Sequence, residues 1–160
     1  MGGKPRSEGP LKDEILGLFI DKLLDAGVIE KSTAAHHSYA HLVPKEDLRH
    51  KTAEQLVSSY RLVVDSRSLN QATKPPTRWP LGIIPDIINR IGKTKPQLFS
   101  KVDLTKGFRQ VELEAQSRPY TAFLTSKGVY QWTRLPMSLR GSPSYSQYLV
   151  RTQILNQLVP

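Results

Sequence analysis

Three observations predict a mixed α+β fold. Leu11–Ala26 carries apolar residues at helical spacing, and Tyr60–Asp65 and the shorter run 39–43 read as strands. Twelve prolines and ten glycines cut the remainder of the 160 residues into short elements.

Leu11, Ile15, Leu18, Phe19, Leu23 and Leu24 form the stripe of the first helix, with charged residues covering its other side. Pro10 suits the first helical position, Asp13 and Glu14 the positive end of the dipole, and Gly27 the left-handed stop. Residues 1–10 are almost all polar, Gly or Pro and are expected to form a disordered leader, with residues 11–160 as one partial domain. Tyr39-Ala40-His41-Leu42-Val43 is a strand closed by Pro44. Residues 45–59 hold six charges and read as an exposed loop or hairpin tip. In Tyr60–Asp65, period two puts Leu62 and Val64 on one face and Arg61, Val63 and Asp65 on the other. Pro75, Pro76 and Pro80 mark an extended crossing. Ile84, Ile87, Ile88 and Ile91 make a short helix, started near Pro85 and Asp86 and stopped by Gly92. The run 98–104 is strand-like, and Thr105-Lys106-Gly107 is a turn leading to a strand or short helix over 108–113. Segments 120–125 and 129–133 flank Ser126-Lys127-Gly128 as a hairpin. Ser142-Pro143 starts a last helix that runs from Tyr145 to Leu158.

The composition excludes several functions. Without cysteine there is no disulfide scaffold, Cys-based zinc site or Cys nucleophile. No apolar run reaches the ~18 residues of a membrane span, and the N-terminus has no signal-peptide core. A soluble intracellular protein, cytoplasmic and without a membrane partner, is expected. Lys and Arg number 23 against 14 Asp and Glu, a formal net charge of +9, which favours polyanions and nucleic acid first. Phosphate-binding Gly loops and the Gly-x-Ser-x-Gly elbow are absent. His36, His37, His41 and His50 cluster, but without Cys or an H-E-x-x-H pattern they read as loop histidines. Asp103, at the exit of its run and before a Gly-containing turn, is either a cap of that turn or a metal ligand.

Five blocks stand in order: Tyr60-Arg61-Leu62-Val63-Val64-Asp65-Ser66-Arg67-Ser68-Leu69-Asn70, then Pro80-Leu81 with the Ile-rich helix, then Phe99–Phe108 around Val102-Asp103-Leu104, then Thr121-Ala122-Phe123, and last Leu135-Pro136-Met137-Ser138-Leu139-Arg140-Gly141-Ser142-Pro143. Together with Leu24–Ile29 and Ser38-Tyr39-Ala40 they resemble the reverse transcriptase of gypsy-type LTR retrotransposons over nearly the whole chain from about residue 11. The resemblance implies the fingers and the first part of the palm of a right-hand polymerase, with helices packed on a truncated palm sheet. It implies an RNA-directed DNA polymerase that adds deoxynucleotides to a primer 3′ end on an RNA or DNA template. In it, Lys45 and Arg61 match the fingers cations that grip the triphosphate, Phe108 the aromatic gate against a ribose 2′-hydroxyl, and Met137 lies in the block lining the nucleotide pocket. Asp103 matches the first catalytic carboxylate, and with the Leu104 carbonyl would help hold two Mg²⁺ ions. Lys106, Arg109, Arg134 and Arg140 would add charge directed at the nucleic-acid backbone.

Three departures follow. Ser138 stands where the family prefers Gly, so a Cβ is expected to disturb the pocket. Ser146 stands where the family has an aromatic residue. The family's remaining carboxylates lie in a Tyr-x-Asp-Asp hairpin, whereas this chain has no Asp or Glu after Glu114. The expectation is therefore a polyprotein fragment, with an inactive relic that binds nucleic acid only through its charge as the alternative.

Overall fold

The computed structural model describes residues 9–45, 58–74, 83–101 and 103–155. Helix α1 spans Pro10–Asp25, entered through Gly9 at φ 106° and opened by Pro10. It ends as the sequence predicts: Gly27 is left-handed at φ 62°, and the Gly27 and Val28 amides donate to the Leu24 and Leu23 carbonyls. The buried stripe is rotated from the expected one. Ile15, Leu16, Ile20 and Leu23 are buried, whereas Leu11 and Leu18 remain 50% and 44% exposed.

Five strands form one sheet in the order β1-β5-β4-β2-β3. They are β1 (Ile29–Lys31), β2 (Ser38–Pro44), β3 (Tyr60–Asp65), β4 (Phe123–Thr125) and β5 (Gly128–Trp132). Strands β2 and β3 are antiparallel, with Val43 opposite Arg61 and Tyr39 opposite Asp65. Strand β4 runs parallel to β2, and β4–β5 is the expected hairpin, turning at Ser126-Lys127. α1 covers this sheet: a Cβ on Gly17 would meet the Lys127 side chain at 3.2 Å. The core joins the α1 stripe to Ile29, Leu42, Tyr60, Val64, Phe123, Tyr130 and Trp132. Phe123 is completely buried, with ring centroids 5.5 Å from Trp132 and 6.1 Å from Tyr130.

Helix α2 (Arg67–Ala72) follows β3 directly, and the segment Ala115–Thr121 forms a 3₁₀ helix where part of a strand was expected. Pro119 inside that segment fixes φ and removes a ladder donor, so β4 starts only at Phe123. Arg118 ties it down through ion pairs to Glu30 (3.4 Å) and Glu112 (3.2 Å).

The region 84–104 departs most from expectation. Helix α3 (Ile84–Thr94) runs past Gly92 to a left-handed Lys95, and none of its residues is buried. Residues 98–101 and 103–104 carry no strand, because strand-forming side chains make a strand only beside a partner ladder. Leu98 and Phe99 accordingly stand 91% and 74% exposed. Helix α4 (Ser142–Leu149) starts at the expected place and passes into a π-helical turn, Val150–Leu155. The Ser142 hydroxyl does not cap it but donates to the Pro136 carbonyl at 2.7 Å. Residues 1–8 of the expected leader 1–10, most of the charged tip (46–57), the proline crossing 75–82, Val102 and the tail 156–160 lie outside the described residues, while Pro10 belongs to α1.

Candidate functional site

Strand register assembles the first part of the site. Val43 faces Arg61, and Lys45 lies two residues beyond, its amide donating to the Ser59 carbonyl at 2.8 Å. Alternation therefore places Lys45, Val43, His41 and Tyr39 with Arg61, Val63 and Asp65 on one face, opposite the core face of Leu42 and Val64. Lys45 and Arg61 are both exposed, and the Lys45 ammonium donates to the Ser58 carbonyl at 2.8 Å.

The same face opens into a cleft of about 350 Å³, lined by His41, Val63, Asp65, Arg67, Asn70 and Ser138 among others. Arg67 grips Asp65 with a two-pronged contact, Nε to Oδ1 at 2.8 Å and Nη2 to Oδ2 at 2.6 Å. These side-chain bonds, with the Arg67 amide, hold the Asp65 carboxyl at about 2, below its ordinary 3.8.

The loop 136–141 closes this cleft. The Ser66 and Ser138 hydroxyls share a hydrogen bond of 2.7 Å. The Asn70 amide holds the loop from both sides, its Nδ2 donating to the Ser138 carbonyl at 2.9 Å and its Oδ1 accepting from the Arg140 amide at 2.8 Å. Ser138, where a Cβ was expected to disturb the pocket, is held in this loop by its own side chain. It is not among the residues with positive φ, so its Cβ is accommodated, and its hydroxyl becomes a link to buried Ser66. Met137 stands beside it, 75% exposed. Ser66 and Asn70 had escaped the sequence reading as partners of this loop. Their spacing of four on a helix start was the available signal.

A second ladder attaches the turn that carries Asp103, Leu104 and Phe108. The Leu113 amide donates to the Thr133 carbonyl and the Leu135 amide to the Val111 carbonyl, so residues 111–113 run beside 133–135, just before Met137. Gly107–Gln110 is a 3₁₀ helix packed against α4, with half-buried Phe108 within it. The Leu104 carbonyl accepts the Gly107 amide at 3.1 Å. Asp103 is exposed and ends no strand.

Arg109, expected to add charge directed at the nucleic-acid backbone, is half-buried. Its guanidinium lies 5.6 Å from the Trp132 ring centroid, and burial pushes its pKa down, so part of this side chain packs on the core. Ser146 is half-buried on α4.

Magnesium takes about six oxygen ligands. Among the described residues no group of three or more His, Cys, Asp or Glu is placed to hold a metal ion. Glu112 is paired with Arg118, and Glu114 accepts from the Gln116 amide. Asp103 and the Leu104 carbonyl therefore do not make a magnesium site by themselves. No helix among the described residues is long and apolar enough to cross a membrane.

The "Retrovirus-related Pol polyprotein from transposon 297" of Drosophila melanogaster is 35% identical over 128 residues, covering 80% of this chain and 11% of that protein. The "Enzymatic polyprotein" of Cauliflower mosaic virus (strain D/H) is 34% identical over 149 residues, covering 90% of this chain and 20% of that protein. The chain thus spans a tenth to a fifth of the length of these relatives. The fold is similar to a foamy viral protease-reverse transcriptase solved with an RNA/DNA hybrid, with a TM-score of 0.70, 24% identity, and coverage of 99% of this chain and 19% of that one. The profile described as "Reverse transcriptase (RNA-dependent DNA polymerase)" matches residues 43–158, and the chain belongs to that family.

Proposed function

We propose that this chain supplies the template- and nucleotide-facing part of a retroelement RNA-directed DNA polymerase, and that by itself it binds template–primer nucleic acid through charge. One observation carries this reading: the register that puts exposed Lys45 and Arg61 on one face, continuous with the cleft closed by the 136–141 loop. Two cations on one face of the paired strands suit phosphates, and Arg adds a bidentate fork. In the working polymerase Lys45 and Arg61 contact the triphosphate of a deoxynucleotide, Met137 lines its pocket, and Phe108 crowds the ribose 2′ position. Asp103 serves as one carboxylate of the reaction centre, with the Leu104 carbonyl as a further oxygen donor. Further oxygen donors would have to join them, since among the described residues no group of three or more His, Cys, Asp or Glu is placed to hold a metal ion. Mg²⁺ is the cation this oxygen-rich chemistry calls for.

Fluorescence anisotropy with a labelled RNA/DNA hybrid tests the reading. Affinity should fall steeply with salt, and Lys45→Ala and Arg61→Ala should each lower the logarithmic salt slope by about 1. Absent binding at low salt, or slopes unchanged in both variants, would refute it.

A further inference from the structure

Helix α3 carries an apolar stripe of Ile84, Ile87, Ile88 and Ile91 on successive turns, yet none of its residues is buried. Ile84 and Ile88 are 70% and 62% exposed, and Ile87 and Ile91 are exposed as well. A helix of 11 residues is marginal in water unless such a stripe is packed. The charges beside the stripe indicate what packs on it. Asp86 and Arg90 stand one turn apart on the same flank. Neither enters the ion pairs among the described residues, which join Arg67 to Asp65 and Arg118 to Glu30 and Glu112.

A second α3 running antiparallel sets Ile84 of one copy beside Ile91 of the other, and Ile87 beside Ile88. The same register brings Asp86 of each copy alongside Arg90 of the other, so two ion pairs form, and the helix dipoles oppose one another favourably. A parallel pair would instead set Asp86 against Asp86 and Arg90 against Arg90. Lys93 lies on the side away from the stripe. Gly92 leaves the other flank without a side chain, and a Cβ there would meet nothing within 4 Å, so a partner backbone can approach closely.

We propose that α3 is a self-association surface, through which two copies of this chain pair antiparallel into a closed dimer. The interface is two-fold, so it is used up at two copies and does not propagate. Four partly exposed isoleucines per copy make less than a standard interface, so the dissociation constant should lie above ~1 µM. Dimerisation through α3 is independent of the nucleic-acid reading above.

Sedimentation equilibrium of the full chain, from a few micromolar to a few hundred micromolar, should show monomer and dimer and nothing larger. Arg90→Glu and Asp86→Arg, both at exposed positions, should each weaken dimerisation about tenfold, as two attractive contacts become repulsive. An equimolar mixture of the two variants should restore it, because each then meets opposite charge. The chain has no cysteine, so a spin label on Thr94→Cys reports alone. Antiparallel pairing should hold two such labels ~20 Å or more apart, against ~10 Å for a parallel pair. A monomer at every concentration, species that grow beyond the dimer, dimerisation indifferent to both variants or not restored by mixing them, or labels ~10 Å apart would overturn the dimer. A monomer whose α3 amides exchange slowly would assign the stripe to another segment of the same chain.

Discussion

Replacing Ser138 by alanine removes one hydroxyl from a bond of 2.7 Å and leaves its partner on Ser66, a residue only 6% exposed. A buried hydroxyl deprived of its partner costs about 1–2 kcal/mol, against about 0.5–1 kcal/mol for Ser66→Ala, whose stranded partner on half-buried Ser138 reaches water. Removing both hydroxyls strands neither, so the double variant should cost about 1 kcal/mol, less than the two single losses together. The coupling is therefore about 1 kcal/mol and of the sign that marks a direct bond. Amide hydrogen exchange at Arg140 reads it locally, because that amide donates to Asn70 Oδ1, which anchors the loop. Protection there should drop about tenfold in Ser138→Ala, about threefold in Ser66→Ala, and no further than Ser138→Ala in the double variant, each factor of ten being about 1.4 kcal/mol. Additive losses, or protection unchanged in both single variants, would refute the reasoning and leave Asn70 alone as the loop's anchor.

The Asp65 carboxyl should titrate near 2, and Arg67→Ala should return it toward 3.8, as followed by carboxyl ¹³C shifts. A depressed native value means that the pair's stabilisation is complete above the ordinary carboxylate range and lost as pH falls through about 2, so Arg67→Ala should matter at neutral pH and not in strong acid. Phe123→Ala should destabilise the core by about 3–5 kcal/mol in urea unfolding followed by tryptophan fluorescence, and a loss under about 1 kcal/mol would contradict the burial described for this ring. The exposed Ile84, Ile88, Leu98 and Phe99 should make the isolated chain bind a hydrophobic dye and associate, and Ile88→Glu should reduce both in light scattering and dye assays. The isolated chain should extend no primer on poly(rA) with Mg²⁺ or Mn²⁺, since among the described residues no group of three or more His, Cys, Asp or Glu is placed to hold a metal ion; incorporation that vanishes in Asp103→Asn would overturn this.

Elements whose neighbours belong to the described chain were legible in the sequence. The α1 stop at Gly27, the β3 alternation and the β4–β5 hairpin each follow from local chemistry: a left-handed glycine, a period of two, a two-residue turn. The shared face of Lys45 and Arg61 follows from the same alternation once β2 and β3 pair. What stayed hidden depends on contacts distant in sequence. The rotation of the α1 stripe is set by the sheet it covers, which the spacing of leucines alone does not reveal. Residues 98–104 have strand propensity but no ladder among the described residues, so propensity misled. The contact of Arg109 with the Trp132 ring joins residues 23 apart in sequence, which no local pattern signals. Ser138 looked like a defect because its partner, Ser66, is separated by 72 residues.

Chemical-shift mapping of an RNA/DNA hybrid onto the ¹⁵N-labelled chain tests the central claim most directly. The account predicts perturbations concentrated on Lys45, Arg61, residues 65–70 and the loop 137–140, fading together as salt rises. Perturbations confined to α1 or α4, with that face silent at low salt, would contradict it.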